Sequence, residues 1–225
     1  MRIAILGCIH NDVESILNFY ELLETLKFDV LVSPGDFTDA VFPKGFDRPS
    51  FGKIIIEELK TFNKPLLVVP GSWDKELISM FDKEGISLHG KGRIIDGVGF
   101  YGFGGAKTPF GLPLEPDDIE IEAGLERSFR DVAKAEVKIQ LTHNPPKNTT
   151  LDMIPNGIHV GSDAVRKFIE RSQPNVAVCS HIHESKGVDS IKNTKIINCG
   201  RFPEGYVGII DVEKDSVEAK LFNLI

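Results

Sequence analysis

The sequence predicts an α/β sandwich in which two sheets face each other. Three observations carry that prediction. Residues 2–83 alternate short apolar runs with amphipathic segments in a βαβαβα order, the pattern of parallel strands joined by helical crossovers. Two more continuous apolar runs, "VKIQLTH" and "NVAVCSH", flank a further helical segment. The chain then ends in a series of strands joined by tight turns.

Each element has its own signal. "RIAIL" is a short apolar run of the kind that forms a strand buried on both faces. In "DVESILNFYELLETL", Ile16, Leu17, Tyr20, Leu23 and Leu26 share one helical face, and Asp12 is placed to cap it. "FDVLVS" is a strand ending at Pro34-Gly35-Asp36, and "FGKIIIEELKTF" is a helix. "PLLVV" is a third strand, ending at Pro70-Gly71-Ser72-Trp73-Asp74, and "KELISMFDK" is the helix after it. "RIIDGVGFYGFG" reads as a hairpin turning at Asp96-Gly97. A helix is expected over 117–134, and another opens at Ser162 between the two later buried strands. "VDSIKNTKIIN", "YVGIIDV" and "SVEAKLFNL" complete the strand-rich end.

At 225 residues the chain buries a full core and is expected to form one domain, 1–225. A formal charge of -7 argues against broad attraction to nucleic acid or to an anionic membrane. It leaves room for a phosphate-bearing substrate where a metal reverses the local sign. No apolar run is long enough to span a bilayer, and the N-terminus is strand-like, unlike a signal peptide. Three scattered cysteines make no disulfide framework, so a reducing, cytoplasmic setting is expected. A homo-oligomer is compatible with all of this.

In open α/β sheets, ligands bind beyond the carboxyl ends of the strands. There the first strand delivers Cys8 and His10, the second Asp36, and the third Ser72-Trp73-Asp74. His143 follows "VKIQLT", and His181 and His183 follow "NVAVCS". Each group alone has a plain structural use: Asp36 serves a turn, Asp74 an N-cap, Cys8 the core. Together, imidazoles, a thiolate and a carboxylate are the ligand set of zinc, iron or manganese-type ions.

"GCIH", "PGD", "PGSWD", "LTHNPP" and "SHIHE" resemble, in order and spacing, the five signature blocks of the calcineurin-like metallophosphoesterases. Those blocks usually read Asp-x-His, Gly-Asp, Gly-Asn-His-Asp/Glu, a lone His, and Gly-His-x-His. "LHGKGRIIDGVGFYGFGGAKTPF" and "GIHVGSDAVRKFIE" resemble a mainly prokaryotic subgroup of predicted phosphoesterases related to cyclic-nucleotide phosphodiesterases. The resemblance implies the metallo-dependent phosphatase fold, a two-sheet α/β/β/α sandwich. It also implies two divalent metal ions (zinc, iron or manganese), one of them held less tightly, and a phosphate-ester or nucleotide substrate. Asp36 would bridge the ions. Cys8, His10 and His183 would hold one ion, and Ser72, His143 and His181 the other. Hydrolysis of a phosphomono- or phosphodiester by a metal-bound hydroxide follows, with Asp36 and His143 as catalytic residues and Asp74 and His159 as further candidates. Asn144 and Arg201 are the candidates for phosphate contact.

Three positions depart from the family pattern. Cys8 stands where the family has Asp, and its softer thiolate favours zinc or iron over manganese. Ser72 stands for Asn, a poorer ligand exchanged for a better one. Trp73 stands for the His usually given the leaving-group proton, and an indole transfers none. The last two also support an alternative, a phosphoesterase fold that has lost turnover and serves as a scaffold. The Gly- and Pro-rich "FGGAKTPFGLPLEP" and the long "NPPKNTTLDMIPNGIHVGS" are expected to border the pocket. Cys179 and Cys199 read as core thiols.

Overall fold

A computed structural model describes residues 1–225. In chain order its elements are β1 (Arg2–Ile5), α1 (Val13–Asn18), α2 (Tyr20–Thr25), β2 (Val30–Ser33), α3 (Arg48–Lys60), β3 (Leu66–Val68) and α4 (Ile78–Lys83). The second half adds β4 (Lys91–Ile95), β5 (Val98–Phe103), α5 (Asp118–Asp131), β6 (Val137–Thr142), α6 (Asp163–Ser172) and β7 (Val176–Cys179). Then come β8 (Gly187–Ile191), β9 (Thr194–Asn198), β10 (Tyr206–Val212) and β11 (Val217–Asn223).

The strands form two sheets, with orders β11-β10-β1-β2-β3 and β4-β5-β6-β7-β9-β8. In the first, β1, β2 and β3 are parallel, and β10 and β11 are added antiparallel. In the second, β5, β6, β7 and β9 are parallel, with β4 and β8 antiparallel at the edges. Period-2 alternation explains why the strands read as continuous apolar runs. Ile3 and Ile5 of β1 pack between the sheets with Val30, Val32, Ile139 and Val178, while Ala4 and Leu6 face the helices with Ile16 and Ile55. Leu125, Val165 and Phe168 cover the far face of the second sheet against Tyr101 and Ala177. The result is the expected four-layer α/β/β/α sandwich.

Local chemistry sets the boundaries. Asp12, Asp47, Asp117 and Ser162 each accept the backbone N–H three residues on, capping α1, α3, α5 and α6. Asp96 and Gly97, both at positive φ, make the two-residue turn between β4 and β5. Two expectations need correction. The helix over 12–26 is interrupted at Phe19, whose ring packs edge-on against Phe202 at 5.7 Å, so α1 and α2 are separate. Asp74 does not cap the segment after it, which opens as a 3-10 turn at Lys75–Leu77, because its carboxylate is used elsewhere. No helix is long and apolar enough to cross a membrane.

Candidate metal centre

Just past β1 the chain turns left-handed. Cys8 and His10 both have φ of 51°, Asp36 after β2 has 55°, and His181 after β7 has 70°. Each such residue costs on the order of 1 kcal/mol in an L-amino acid. Backbone bonds between loops hold them there: Cys8 N donates to Gly35 O and His10 N to Asp36 O, each at 3.0 Å. The "PGD" and "PGS" loops touch backbone to backbone. A Cβ on Gly35 would lie 2.3 Å from Gly71 N, and one on Gly71 would lie 2.1 Å from Asp36 Oδ1, so both positions require glycine.

The side chains so placed converge. His143 Nε2 is 3.1 Å from Asp36 Oδ2, and His10 Nε2 is 3.9 Å from the same oxygen. His10 Nε2 faces His183 Nε2 at 3.3 Å, and His143 Nε2 faces His181 Nδ1 at 3.2 Å. The ligand atoms of Cys8, His10 and His183 lie within 4.8 Å of one another, as do those of Cys8, Asp36 and His143. His143 Nδ1 donates to Pro34 O at 2.8 Å, which directs Nε2 at the cluster. The Trp73 N–H donates to Asp36 Oδ1 at 3.0 Å, which leaves Oδ2 for the rings.

Electrostatics reflect the crowding. Burial, then the charge of Asp36, pushes the Cys8 thiol well up. Burial opposes ionisation of Asp36, yet the charge and hydrogen bond of His143 hold its carboxyl below the usual range. Burial also works against protonated His143, and Asp36 overcomes it to raise that ring. His181 is pushed down to about 3 by burial and the charge of His143. His183 is pushed down to about 4 by burial and the charge of His10. Sulfur, carboxylate and ring nitrogens therefore crowd one another, and two pairs of ring nitrogens meet at 3.3 and 3.2 Å. A divalent cation satisfies such a donor set, so the residues fit the metal the fold family uses.

The remaining expected residues sit at different distances from this cluster. Ser72 is buried, and its hydroxyl reaches Ala106 O at 3.4 Å. Asp74 is fully buried behind Asp36, accepting from Gly71 N (2.8 Å), Phe37 N and Thr38 N (3.1 Å each) and Thr38 Oγ1 (2.9 Å). It does not line the cavity, and its place is that of a positioning residue clamping one ligand loop to the next. Burial, then the charge of Asp36, raises its carboxyl. His159 Nδ1 lies 2.7 Å from Oδ1 of the buried Asp152, which gathers the amides of Asn148, Thr149 and Gly161. Arg201 is close enough for its charge to act on His183, and its Nε is buried without a partner. Asn144 is buried in a neighbouring bay of about 450 Å³ near the starts of α5 and α6, its Oδ1 unpartnered. That bay shares Lys107 and Val160 with the main cavity, about 760 Å³, into which His10, Asp36, His181 and His183 open.

Two residues were not singled out by sequence reasoning. Ser180 Oγ lies 3.0 Å from Cys8 Sγ, and Lys107 is a cation on the cavity wall. Ser180 was signalled only by standing where "Gly-His-x-His" has glycine.

Left-handed ligand loops at strand ends, one carboxylate among four imidazoles and a two-sheet sandwich define a metallophosphoesterase class. The chain matches the calcineurin-like phosphoesterase family over residues 1–185 and belongs to it. Metal-dependent phosphoester chemistry is the general activity of that family. Uncharacterized protein MJ1162 of Methanocaldococcus jannaschii is 34% identical over 203 residues, 87% of this chain and 86% of that one. Among solved structures, TT1561 of Thermus thermophilus aligns with a TM-score of 0.73 at 18% identity, covering 99% of this chain and 98% of that one. A dimetal phosphatase from Danio rerio aligns with a TM-score of 0.67 at 10% identity, covering 100% and 96%. At such identities the likeness of these structures is one of fold.

Proposed function

We propose that this chain is a phosphoesterase that hydrolyses a phosphomono- or phosphodiester at a site for two divalent ions. The observation that carries the reading is the convergence of Cys8, His10, Asp36, His143, His181 and His183, of which His10, Asp36, His181 and His183 line a cavity. Cys8, His10 and His183 would hold one ion, and His143 and His181 with a weak contribution from Ser72 the other, Asp36 lying between. Bound there, such ions supply an acidified water as nucleophile and positive field for the phosphoryl oxygens.

The chain's own residues prepare the rest. Pro34 O orients His143, the Trp73 amide orients Asp36, and Asp74 fixes the loops that carry both. Lys107 brings positive charge to the cavity for a non-bridging phosphoryl oxygen. Trp73 has no proton to give, so the leaving group takes its proton from the rim, where His159 is the proposed donor. Its Nδ1 is held by Asp152, and its Nε2 is the nitrogen left for exchange. Asn144 and Arg201 are proposed substrate contacts, each with a buried polar atom still unpartnered.

Metal analysis of the purified chain, paired with hydrolysis of bis-p-nitrophenyl phosphate in added zinc, iron or manganese, tests the proposal. Bound metal and turnover, both lost in His181→Ala, are expected. Ser72 and Trp73, in the places of a ligand and an acid, favour the scaffold as second reading. A chain with neither metal nor turnover would decide for it.

A further inference from the structure

Beside the ligand cluster the 760 Å³ cavity is apolar: Trp73, Pro109, Phe110, Leu112, Ile154 and Ile182 form its wall. Resting on the function proposed above, we infer that this apolar pouch receives an aromatic ring carried by the substrate's phosphate. The substrate class is then a phosphodiester monoanion with a planar aromatic group near phosphorus, in preference to a phosphomonoester.

Three observations lead there. The pouch and the ligand cluster are one cavity, so a phosphate at Asp36 has its next substituent against this wall. The space is that of a ligand of some size, within the range of about 300–1,000 Å³ for small-molecule sites, and far exceeds what phosphate fills. Beyond the ions proposed at the cluster, the lining adds little charge: Lys107 is its one lysine or arginine and Glu184 stands there with it, so no protein cation is set out for the second charge of a dianionic monoester.

The wall is also built for a ring rather than a flexible chain. Trp73 offers an indole face, and the Arg48 guanidinium lies 5.6 Å from its centroid. Arg48 is in turn tied to Glu76 at 3.0 Å and Asp39 O at 2.9 Å, so the indole is buttressed. The Thr108 hydroxyl donates to Glu115 and accepts the Phe110 N–H, and Glu115 also accepts the Leu112 N–H, so the loop that forms this wall is tied in place. A rigid aromatic face stacks a planar group at little entropic cost. A nucleobase and a simple aryl ester share this chemistry.

Trp73 is the chain's one tryptophan, so its fluorescence reports the pouch directly. The zinc-loaded full chain is titrated with dimethyl phosphate, diphenyl phosphate and thymidylyl-thymidine. Saturable quenching with a Kd about tenfold lower for diphenyl than for dimethyl phosphate is expected from one stacked ring. A still lower Kd for thymidylyl-thymidine assigns the ring to a nucleobase, and a higher one to an aryl ester. Phe110→Ala, at a side chain 79% exposed, should weaken diphenyl phosphate about fivefold and leave dimethyl phosphate within about twofold. Equal Kd values for the two simple diesters, or no effect of Phe110→Ala, overturn the inference. Binding without hydrolysis of any ester would sink the proposed activity alone. Hydrolysis of p-nitrophenyl phosphate as efficient as that of its diester, with equal Kd values, would sink the pouch alone.

Discussion

Cys8 Sγ and Ser180 Oγ lie 3.0 Å apart in the buried floor of the ligand cluster, and Ser180 also donates to Gly200 O at 3.2 Å. Both residues depart from the family pattern, at opposite ends of the chain, and the fold brings them together. A carboxylate replaced by sulfur loses hydrogen-bonding capacity, and a glycine replaced by serine returns a hydroxyl next to that sulfur. On the function proposed above the pair is one adaptation to a soft ligand, the Ser180 hydroxyl turning from Gly200 O to the thiolate.

Ser180→Ala should therefore weaken zinc about tenfold, the usual scale for a group that hydrogen-bonds a ligand. Competition against a chromophoric chelator measures it, and unaltered zinc affinity would detach Ser180 from the centre. Cys8→Asp should move preference toward manganese, read as metal content after equilibration with equal zinc and manganese. An unmoved ratio would mean the sulfur is not a ligand.

Asp74 accepts four hydrogen bonds from the loops that carry Asp36 and Ser72. Asp74→Asn turns one acceptor into a donor facing donors and should cost about 3 kcal/mol, while Thr38→Val, losing one bond to the carboxylate, should cost about 1–2 kcal/mol. Urea denaturation of the metal-free chain reads both. Asp74→Asn at wild-type stability would contradict the clamp.

The four layers and the strand ends were legible because strands buried on both faces leave apolar runs that halt where the polar candidate ligands begin. Cys8, His10, Asp36, His143, His181 and His183 could be picked out on that ground. Distance-dependent features were not legible. Nothing local says that Asp74 prefers the amides of residues 37, 38 and 71 to its own helix, or that Phe19 breaks a good helical pattern to meet Phe202. The pouch wall was least visible, since Pro109, Phe110 and Leu112 lie in a loop with no periodicity and gain meaning only beside Trp73 and Ile154.

His89 makes a pH prediction independent of the metal. Its Nδ1 accepts the Gly104 N–H at 3.0 Å, and its ring stacks on Phe103 at 4.0 Å. Burial pushes the imidazole from 6.5 down to about 4; Asp82 pulls it up, and Arg127 and Lys91 push it down. The folded state thus binds the proton less well than the unfolded state. His89 leaves stability intact above pH 6.5 and lowers it as pH falls toward 4, by up to about 3 kcal/mol. Urea titrations from pH 7.5 to 4.5 should show a shallower decline for His89→Gln than for wild type. Parallel curves would mean that His89 titrates normally when folded.

Trp73 bears on both proton supply and substrate choice. Its indole lines the cavity beside His10 and Asp36 but transfers no proton, which restricts turnover to esters whose leaving groups depart readily or take a proton from elsewhere. Trp73→His puts an imidazole on that wall while removing the stacking face. The kcat for phosphomonoesters with alkyl leaving groups should then rise about a hundredfold, the lower range for a positioned general acid. A new limb, falling as the imidazole loses its proton, should appear on the alkaline side of the pH profile. Over the same substitution, KM for bis-p-nitrophenyl phosphate should rise as the ring contact is lost. A variant that gains no monoester activity and keeps the wild-type KM for the diester would show that the side chain at position 73 governs neither step.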